Sequence, residues 1–166
     1  MNRSKILSAS YLRNFVFGVE DSLASTVGLL SGIAYIGATS SAIFTTGIIL
    51  IFVEAFSMAI GSFLSESSAE NYIHHDEEPL GKPLKDGAIM FLSYFISGFI
   101  PLFPYIIMEV ENAFIWSVIL SLLALFLLGA VGAKISKIHV VRNGFKTFII
   151  GGIAIVVGVT VGTIFS

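Results

Sequence analysis

Five apolar segments, each close to the length of a membrane-spanning helix, constrain what this chain can fold into. They cover residues 15–37, 43–66, 87–107, 113–133 and 144–165. A helix needs about 20 apolar residues to cross the hydrocarbon core of a bilayer, and a helix satisfies its own backbone hydrogen bonds there. The sequence therefore predicts an all-α integral membrane protein, with five transmembrane helices forming a single domain over residues 1–166.

Composition supports a membrane protein and excludes several functional classes. The mean hydropathy is +0.93, 55% of the residues are hydrophobic and 12% are charged, which is outside the range of soluble domains. The net charge of −2 argues against a nucleic-acid partner, because phosphate binding needs clustered Lys and Arg. Cysteine is absent, which excludes disulfides and thiolate metal sites. The first apolar segment is too long for a cleaved signal peptide and lacks a cleavage site, so we expect it to be kept as the first transmembrane helix.

The basic residues predict the orientation. They lie before the first span, between the second and third, and around the junction of the fourth and fifth: Arg3, Lys5, Arg13, Lys82, Lys85, Lys134, Lys137, Arg142 and Lys146. By the positive-inside rule, the N-terminus is cytoplasmic and the C-terminus is outside. Residues 67–86 then form a short cytoplasmic loop rich in acidic residues and histidine.

Two adjacent carboxylates, Glu20 and Asp21, interrupt the first apolar segment. Apart from Lys146, at the start of the fifth span, no Lys or Arg lies inside a predicted span to neutralise them. An ionisable residue at membrane depth costs several kcal/mol and is by default a functional-site hypothesis. Glu20 is rotated by about 100° from Asp21 around the helix, so it would face a partner subunit or a backbone group instead.

Depth in the membrane predicts which residue of the second helix lies level with Asp21. Asp21 lies eight residues after Arg13, and Met58 lies eight residues before Glu66. At 1.5 Å per residue, both are about 12 Å from the cytoplasmic edge. Glu54 lies one turn further out, near the mid-plane.

Carboxylates beside a thioether suit a divalent transition metal of borderline softness, and Fe²⁺ fits well. Acids that release metal also exchange protons, which is the minimum chemistry of a metal–proton antiporter. The alternatives are that Met58 fills the core and that Ser62 and Ser65 in the second span bond to carbonyls of their own helix. The predicted pathway residues are Asp21, Met58, Glu54 and Glu20, with Ser25 and Ser62 as secondary polar groups.

The segment after the second span offers a second set of ligand types. If the helix continues inward, Glu66, Glu70 and His74 lie on one face, and His75 follows directly. These side chains could then capture metal in the cytoplasm. The alternative is that the segment is a solvent-exposed acidic surface that precedes the end of the helix.

Two GxxxG patterns predict close helix contacts, because small residues let helices approach. They are Gly28 with Gly32 in the first span, and Gly158 with Gly162 in the fifth. The alternative is that these patterns arise without a close contact, because glycine is common in membrane helices.

Four motifs carry a family resemblance: FGVEDSLASTVGLLSGI, EAFSMAIGSFLS, SGFIPLFPY and RNGFKTFIIGGIA, in the first, second, third and fifth predicted helices. With the five-span pattern, they make nearly the whole chain resemble the vacuolar iron transporter family, exporters of ferrous iron and manganese from the cytosol. The resemblance implies a homodimer whose ion path lies between the protomers, lined by the first two helices. It places the helix-one acid at Asp21 and the thioether at Met58, with Glu54 as a proton or metal carrier. A dimer would also use the Gly28–Gly32 face.

The chain departs from the family pattern in two places. Plant and fungal-type members carry a sizeable metal-binding domain between the second and third spans, whereas this chain has about twenty residues there, an ordinary loop length. Ser22 follows the helix-one acid where many members have glycine. The chain therefore resembles a short prokaryotic-type member, working at a plasma membrane.

The sequence hypothesis is a dimeric exporter of divalent metal, most simply Fe²⁺, that exchanges metal for H⁺ in a lipid bilayer. One alternative is a membrane subunit that binds or senses metal without moving it, and another is a transporter mainly of Mn²⁺, Co²⁺ or Zn²⁺. The sequence contains no phosphate-binding loop, HExxH or GxSxG motif. We therefore predict no enzymatic activity and no resident cofactor.

Overall fold

The structure is a computed structural model that describes residues 3–74 and 79–165, with side chains for residues 7–73 and 79–165. The described residues form helices and short turns, without a strand, which confirms the all-α prediction. The helices are α1 (Arg3–Tyr35), α2 (Ser40–His74), α3 (Gly81–Leu102), α4 (Pro104–Ile107), α5 (Val110–Ile135) and α6 (Val140–Ile164).

Four of these helices are long and apolar enough to cross a membrane: α1 from Leu7, α2 to Ile73, α5 and α6. The predicted third span corresponds to α3 and α4, and α3 is not among the four candidates found in the described residues. Its first turns contain Lys82, Lys85 and Asp86, which lower its apolar character. The structure thus supports a multi-pass membrane protein, while the fifth span and the orientation stay predictions.

The sequence places the end of α3 at a pair of prolines. Pro101 lies inside the last turn of α3, and Pro104 begins α4. Proline lacks a backbone N–H, so a helix seldom continues unbroken through two of them. The Ser117 hydroxyl of α5 donates a hydrogen bond of 2.7 Å to the Pro101 carbonyl, which ties this break to the bundle. Helix α3 therefore ends at Leu102, between the two prolines.

Helix α1 lies at the centre of the bundle and packs against α2, α3, α5 and α6. It runs parallel to α3, because Asn14 meets Asp86 at one end and Ser22 meets Tyr94 further along. Helices α5 and α6 pack as an antiparallel pair, joined where Asn143 donates to the Gly129 carbonyl and Thr147 to the Leu125 carbonyl.

The two GxxxG patterns pack against each other within one chain. A Cβ atom added at Gly28 would lie 2.9 Å from the Ala154 carbonyl oxygen, and one at Gly32 would lie 2.5 Å from the Gly158 carbonyl oxygen. These glycines therefore lie at a close helix contact, between α1 and α6 of the same chain. The use of the Gly28–Gly32 face in a dimer stays a prediction.

The described part of the predicted cytoplasmic segment, residues 67–86, is largely helical. Helix α2 continues to His74, and α3 begins at Gly81. The stretch from 67 to 74 contains no proline or glycine, so nothing in it stops a helix. His75 lies outside the described residues, as does the side chain of His74, so the predicted metal capture by these histidines stays a prediction.

Candidate functional site

Two acidic side chains, Asp21 of α1 and Glu54 of α2, lie near each other. Asp21 and Glu54 are both half-buried, and their carboxylates lie close enough for their charges to interact. No Lys or Arg occurs between residues 14 and 81, so neither helix supplies a positive side chain along this stretch. The structure therefore brings together two of the predicted pathway residues.

Tyr94 of α3 lies beside this acidic pair. Its ring is fully buried, and its hydroxyl oxygen is 2.8 Å from the Ser25 hydroxyl oxygen. The charges of both carboxylates reach the Tyr94 hydroxyl. The Ser22 hydroxyl donates to the Tyr94 carbonyl at 2.7 Å, which fixes α3 against α1 at this level.

Sequence reasoning missed Tyr94. The available signal was a tyrosine in the stretch FLSYFISGF, where the other aromatic residues are phenylalanines. A buried tyrosine usually has a hydrogen-bond partner for its hydroxyl, so its position in an apolar helix pointed to a polar neighbour.

Met58 and Glu20 are half-buried, and neither has a hydrogen bond or ion pair within residues 7–73 and 79–165. Met58 lies four residues from Glu54, one turn along α2. Its predicted meeting with Asp21 and the predicted role of Glu20 stay predictions.

Ser62 belongs to a second polar cluster, nearer the start of α1. The Ser62 hydroxyl donates to the Asn14 Oδ1 atom at 3.2 Å, and the Asn14 Nδ2 atom donates to the Asp86 Oδ1 atom at 2.6 Å. The Ser10 hydroxyl donates to the same Asp86 oxygen at 3.1 Å. Sequence reasoning placed Ser62 with the pathway and missed Asn14 and Asp86, because hydropathy does not reveal which polar side chains from different helices meet.

The two glutamates at the end of α2 are held by basic side chains. Lys82 pairs with Glu66 at 2.5 Å and also with Glu70, and Arg13 pairs with Glu66 at 3.1 Å. Burial lowers the pKa of Lys82, but hydrogen bonds and the charges of the two glutamates outweigh it, so that the pKa is raised above its usual value. Metal capture by Glu66 and Glu70 would therefore have to displace Lys82.

No three His, Asp or Glu side chains converge to hold a metal ion in the described part of this single chain. A cation at the Asp21–Glu54 pair would need further ligands of another type, or ligands from a second chain.

A model of the VIT family matches residues 12–79 and 72–163. The chain belongs to the VIT family. The two matched parts overlap at residues 72–79, which begin in the last turn of α2 and end before α3. The resemblance drawn from the four sequence motifs is confirmed.

Relatives of this VIT-family chain are similar over most of their length. Vacuolar iron transporter 1 of Arabidopsis thaliana is 24% identical over 203 residues, covering 86% of this chain and 81% of that protein. Vacuolar iron transporter homolog 1 of the same plant is 26% identical, covering 90% and 80%. Vacuolar iron transporter homolog 5 of Oryza sativa subsp. japonica is 28% identical, covering 93% and 79%. The first alignment is longer than the 166 residues of this chain, so that relative contains inserted residues within it.

Proposed function

We propose that this chain exports a divalent transition metal, with Fe²⁺ as the first candidate, from the cytoplasm in exchange for protons. The observation that carries the proposal is the Asp21–Glu54 pair, two interacting carboxylates on neighbouring membrane-length helices without a basic side chain. Carboxylates buried in this way need a cation or a proton. The names of the relatives, which are iron transporters, support a metal ion as that cation.

The same carboxylates serve both ions in this mechanism. A divalent metal binds the ionised carboxylates, and protons replace it on the same oxygens when it leaves. Because Asp21 and Glu54 repel each other, the pair favours states that contain positive charge. The Met58 thioether, one turn from Glu54, favours borderline ions such as Fe²⁺ over Mg²⁺ or Ca²⁺. The same donors also accept Mn²⁺, Co²⁺ or Zn²⁺.

A homodimer completes the ion path in this proposal. A second copy would double the carboxylates at the site, where the described part of one chain gathers fewer than three metal-binding groups of the His, Asp and Glu type. Helix α2 offers a dimer face, because Ser57, Gly61 and Ser65 are exposed at four-residue spacing next to Glu54 and Met58. Small residues at that spacing suit helix–helix contact. This stripe is the proposed interface.

The proposed orientation follows the basic residues. Arg13 of α1 and Lys82 of α3 both contact Glu66 of α2, so these two basic residues lie at the same end of the bundle. That end would be cytoplasmic, with α3 and α4 forming the fifth span and the C-terminus outside. The proposed location is a prokaryotic plasma membrane.

Ion flux into liposomes tests the proposal. Purified protein is reconstituted with an iron-sensitive dye and a pH dye inside, for the wild type, Asp21→Asn and Met58→Ala. We expect Fe²⁺ uptake with proton release in the wild type, loss of both in Asp21→Asn, and weaker Fe²⁺ selectivity in Met58→Ala. Glu109→Gln is the matched control, because Glu109 is an exposed acid outside the pair.

Two outcomes would contradict the proposal. Wild-type protein that binds metal but moves neither ion would instead fit a metal-binding or sensor subunit. Asp21→Asn protein that transports like the wild type would remove the acidic pair from the mechanism.

A further inference from the structure

A cluster of basic side chains lies where α5 meets α6. All of its members are exposed: Lys134, Lys137, His139, Arg142 and Lys146. No Asp or Glu follows Glu111 in the sequence, and none of these basic side chains forms an ion pair within residues 7–73 and 79–165. The junction of α5 and α6 therefore presents positive charge that no acidic side chain balances.

Three of these basic side chains line one cleft. The cleft has a volume of about 370 Å³, and its lining residues are Ile138, His139, Arg142, Asn143 and Lys146. Asn143 fixes one wall, because its Nδ2 atom donates to the Gly129 carbonyl oxygen of α5 at 2.9 Å. The Ile138 amide donates to the Ala133 carbonyl oxygen at 2.9 Å, which holds the turn between the helices. The cleft thus gathers positive charge on a backbone that is held in place.

The start of α6 adds to this positive charge. Helix α6 begins at Val140, directly after His139, whose side chain makes no capping hydrogen bond. The first amides of a helix lack acceptors within the helix, and its N-terminus carries a partial positive charge. Phosphate groups bind readily where helix amides and basic side chains come together.

The basic face of α6 becomes apolar further along the helix. Ile149, Ile153 and Val157 follow Arg142 and Lys146 at spacings of three or four residues, so all five lie on one side of the helix. The three apolar side chains are exposed. A ligand that matches this face has an anionic end at the cleft and an apolar body along α6. A phospholipid has both parts in this order.

We propose that this cleft binds the headgroup of an anionic phospholipid, with the phosphate between Arg142 and Lys146 and an acyl chain along Ile149 and Ile153. Arg142 makes the main contact, because a guanidinium group can donate two parallel hydrogen bonds to one phosphate. Basic pockets between membrane helices suit such headgroups. The inference is independent of metal transport, since it rests on the α5–α6 junction of a multi-pass membrane protein.

Native mass spectrometry of the purified full-length protein tests this site. The probes are phosphatidylglycerol and phosphatidylcholine with identical acyl chains, which differ in net charge. We expect the wild type to bind phosphatidylglycerol at least about fivefold more tightly, the contribution of one basic residue near an anionic lipid surface. Arg142→Gln should remove most of this preference. Arg142→Lys, which keeps the charge but not the paired donors, should restore part of it.

Lys134→Gln is the matched control. It removes the same charge from the same junction, but Lys134 does not line the cleft, so the preference for phosphatidylglycerol should remain. Arg142 and Lys134 are both exposed, and neither change should alter the unfolding midpoint without lipid.

Three results would overturn the inference. Equal binding of the two lipids by the wild type would remove the preference for an anionic headgroup. An equal loss in Arg142→Gln and Lys134→Gln would mean that the lipid responds to the general positive charge and not to the cleft. Glycerol phosphate that binds as tightly as phosphatidylglycerol would make this a site for a soluble phosphate compound.

Discussion

Asp86 is completely buried, and its two carboxylate oxygens have different surroundings. The Oδ1 atom accepts hydrogen bonds from Ser10 and Asn14, whereas the Oδ2 atom is without a hydrogen-bond partner among the described residues. A buried acid of this kind organises the side chains that donate to it, and it joins the start of α1 to the start of α3.

Asp86→Ala should lower the free energy of unfolding by about 3 kcal/mol, because it leaves the buried Asn14 amide and the Ser10 hydroxyl without their acceptor. Thermal unfolding in detergent measures this change. Glu111→Ala is the control, since Glu111 is exposed, and it should unfold like the wild type. An Asp86→Ala protein as stable as the wild type would show that the cluster does not hold α1 to α3.

At the scale of helices, the contact between α1 and α6 depends on backbone approach at glycine. A Cβ at Gly162 would lie 2.8 Å from the Gly32 carbonyl oxygen, and one at Gly158 would overlap the Gly28 carbonyl. Gly152 belongs to the same helix but has nothing within 4 Å of an added Cβ. Alanine substitutions at Gly158 and Gly152 therefore distinguish the effect of helix packing on stability from the effect of helix propensity.

Gly158→Ala should destabilise the protein by about 1–3 kcal/mol, the usual cost of forcing extra volume into a packed contact. Gly152→Ala should be neutral or stabilise by up to about 1 kcal/mol, because alanine favours a helix more than glycine does. The unfolding midpoints of both variants measure the difference. Equal midpoints would mean that α6 does not approach α1 this closely.

Hydropathy was enough to predict most helices. The extension of α2 to His74 was harder, because its polar residues resemble a loop until Lys82 is seen to pair with Glu66 and Glu70. GxxxG spacing predicts a close contact but does not identify the partner helix, so the α6 partner of Gly28 needed the fold. Tyr94 was missed because its role depends on where three helices meet.

At the scale of the whole molecule, the exposed surface of α2 decides how two copies meet. Ser57, Gly61 and Ser65 form a narrow small-residue stripe between large apolar side chains such as Phe56 and Ile60, which are 57% and 56% exposed. Lipid covers large apolar side chains well, whereas small residues suit a neighbouring helix.

Single cysteines test the dimer, and the chain has no natural cysteine to interfere. Gly61→Cys should form cross-linked dimers efficiently in membranes, because a two-fold axis along α2 brings the two copies of that residue together. Val157→Cys on α6 is the control, since Val157 is 54% exposed and should face lipid. Gel electrophoresis after oxidation measures the yield. Equal cross-linking at both positions would contradict an α2 interface.

The pairing of α1 with α6 has a consequence for biosynthesis. The glycine face of α1 packs against α6, the last described helix. The ribosome adds more than a hundred residues between the end of α1 and the start of α6, and the backbone at this face is not covered by α6 during that time. During that interval α3 is the partner that can already hold it, through Ser22 and Tyr94. Helix α6 therefore completes the packing around α1, and we expect a chain that stops before α6 to leave the Gly28–Gly32 face uncovered.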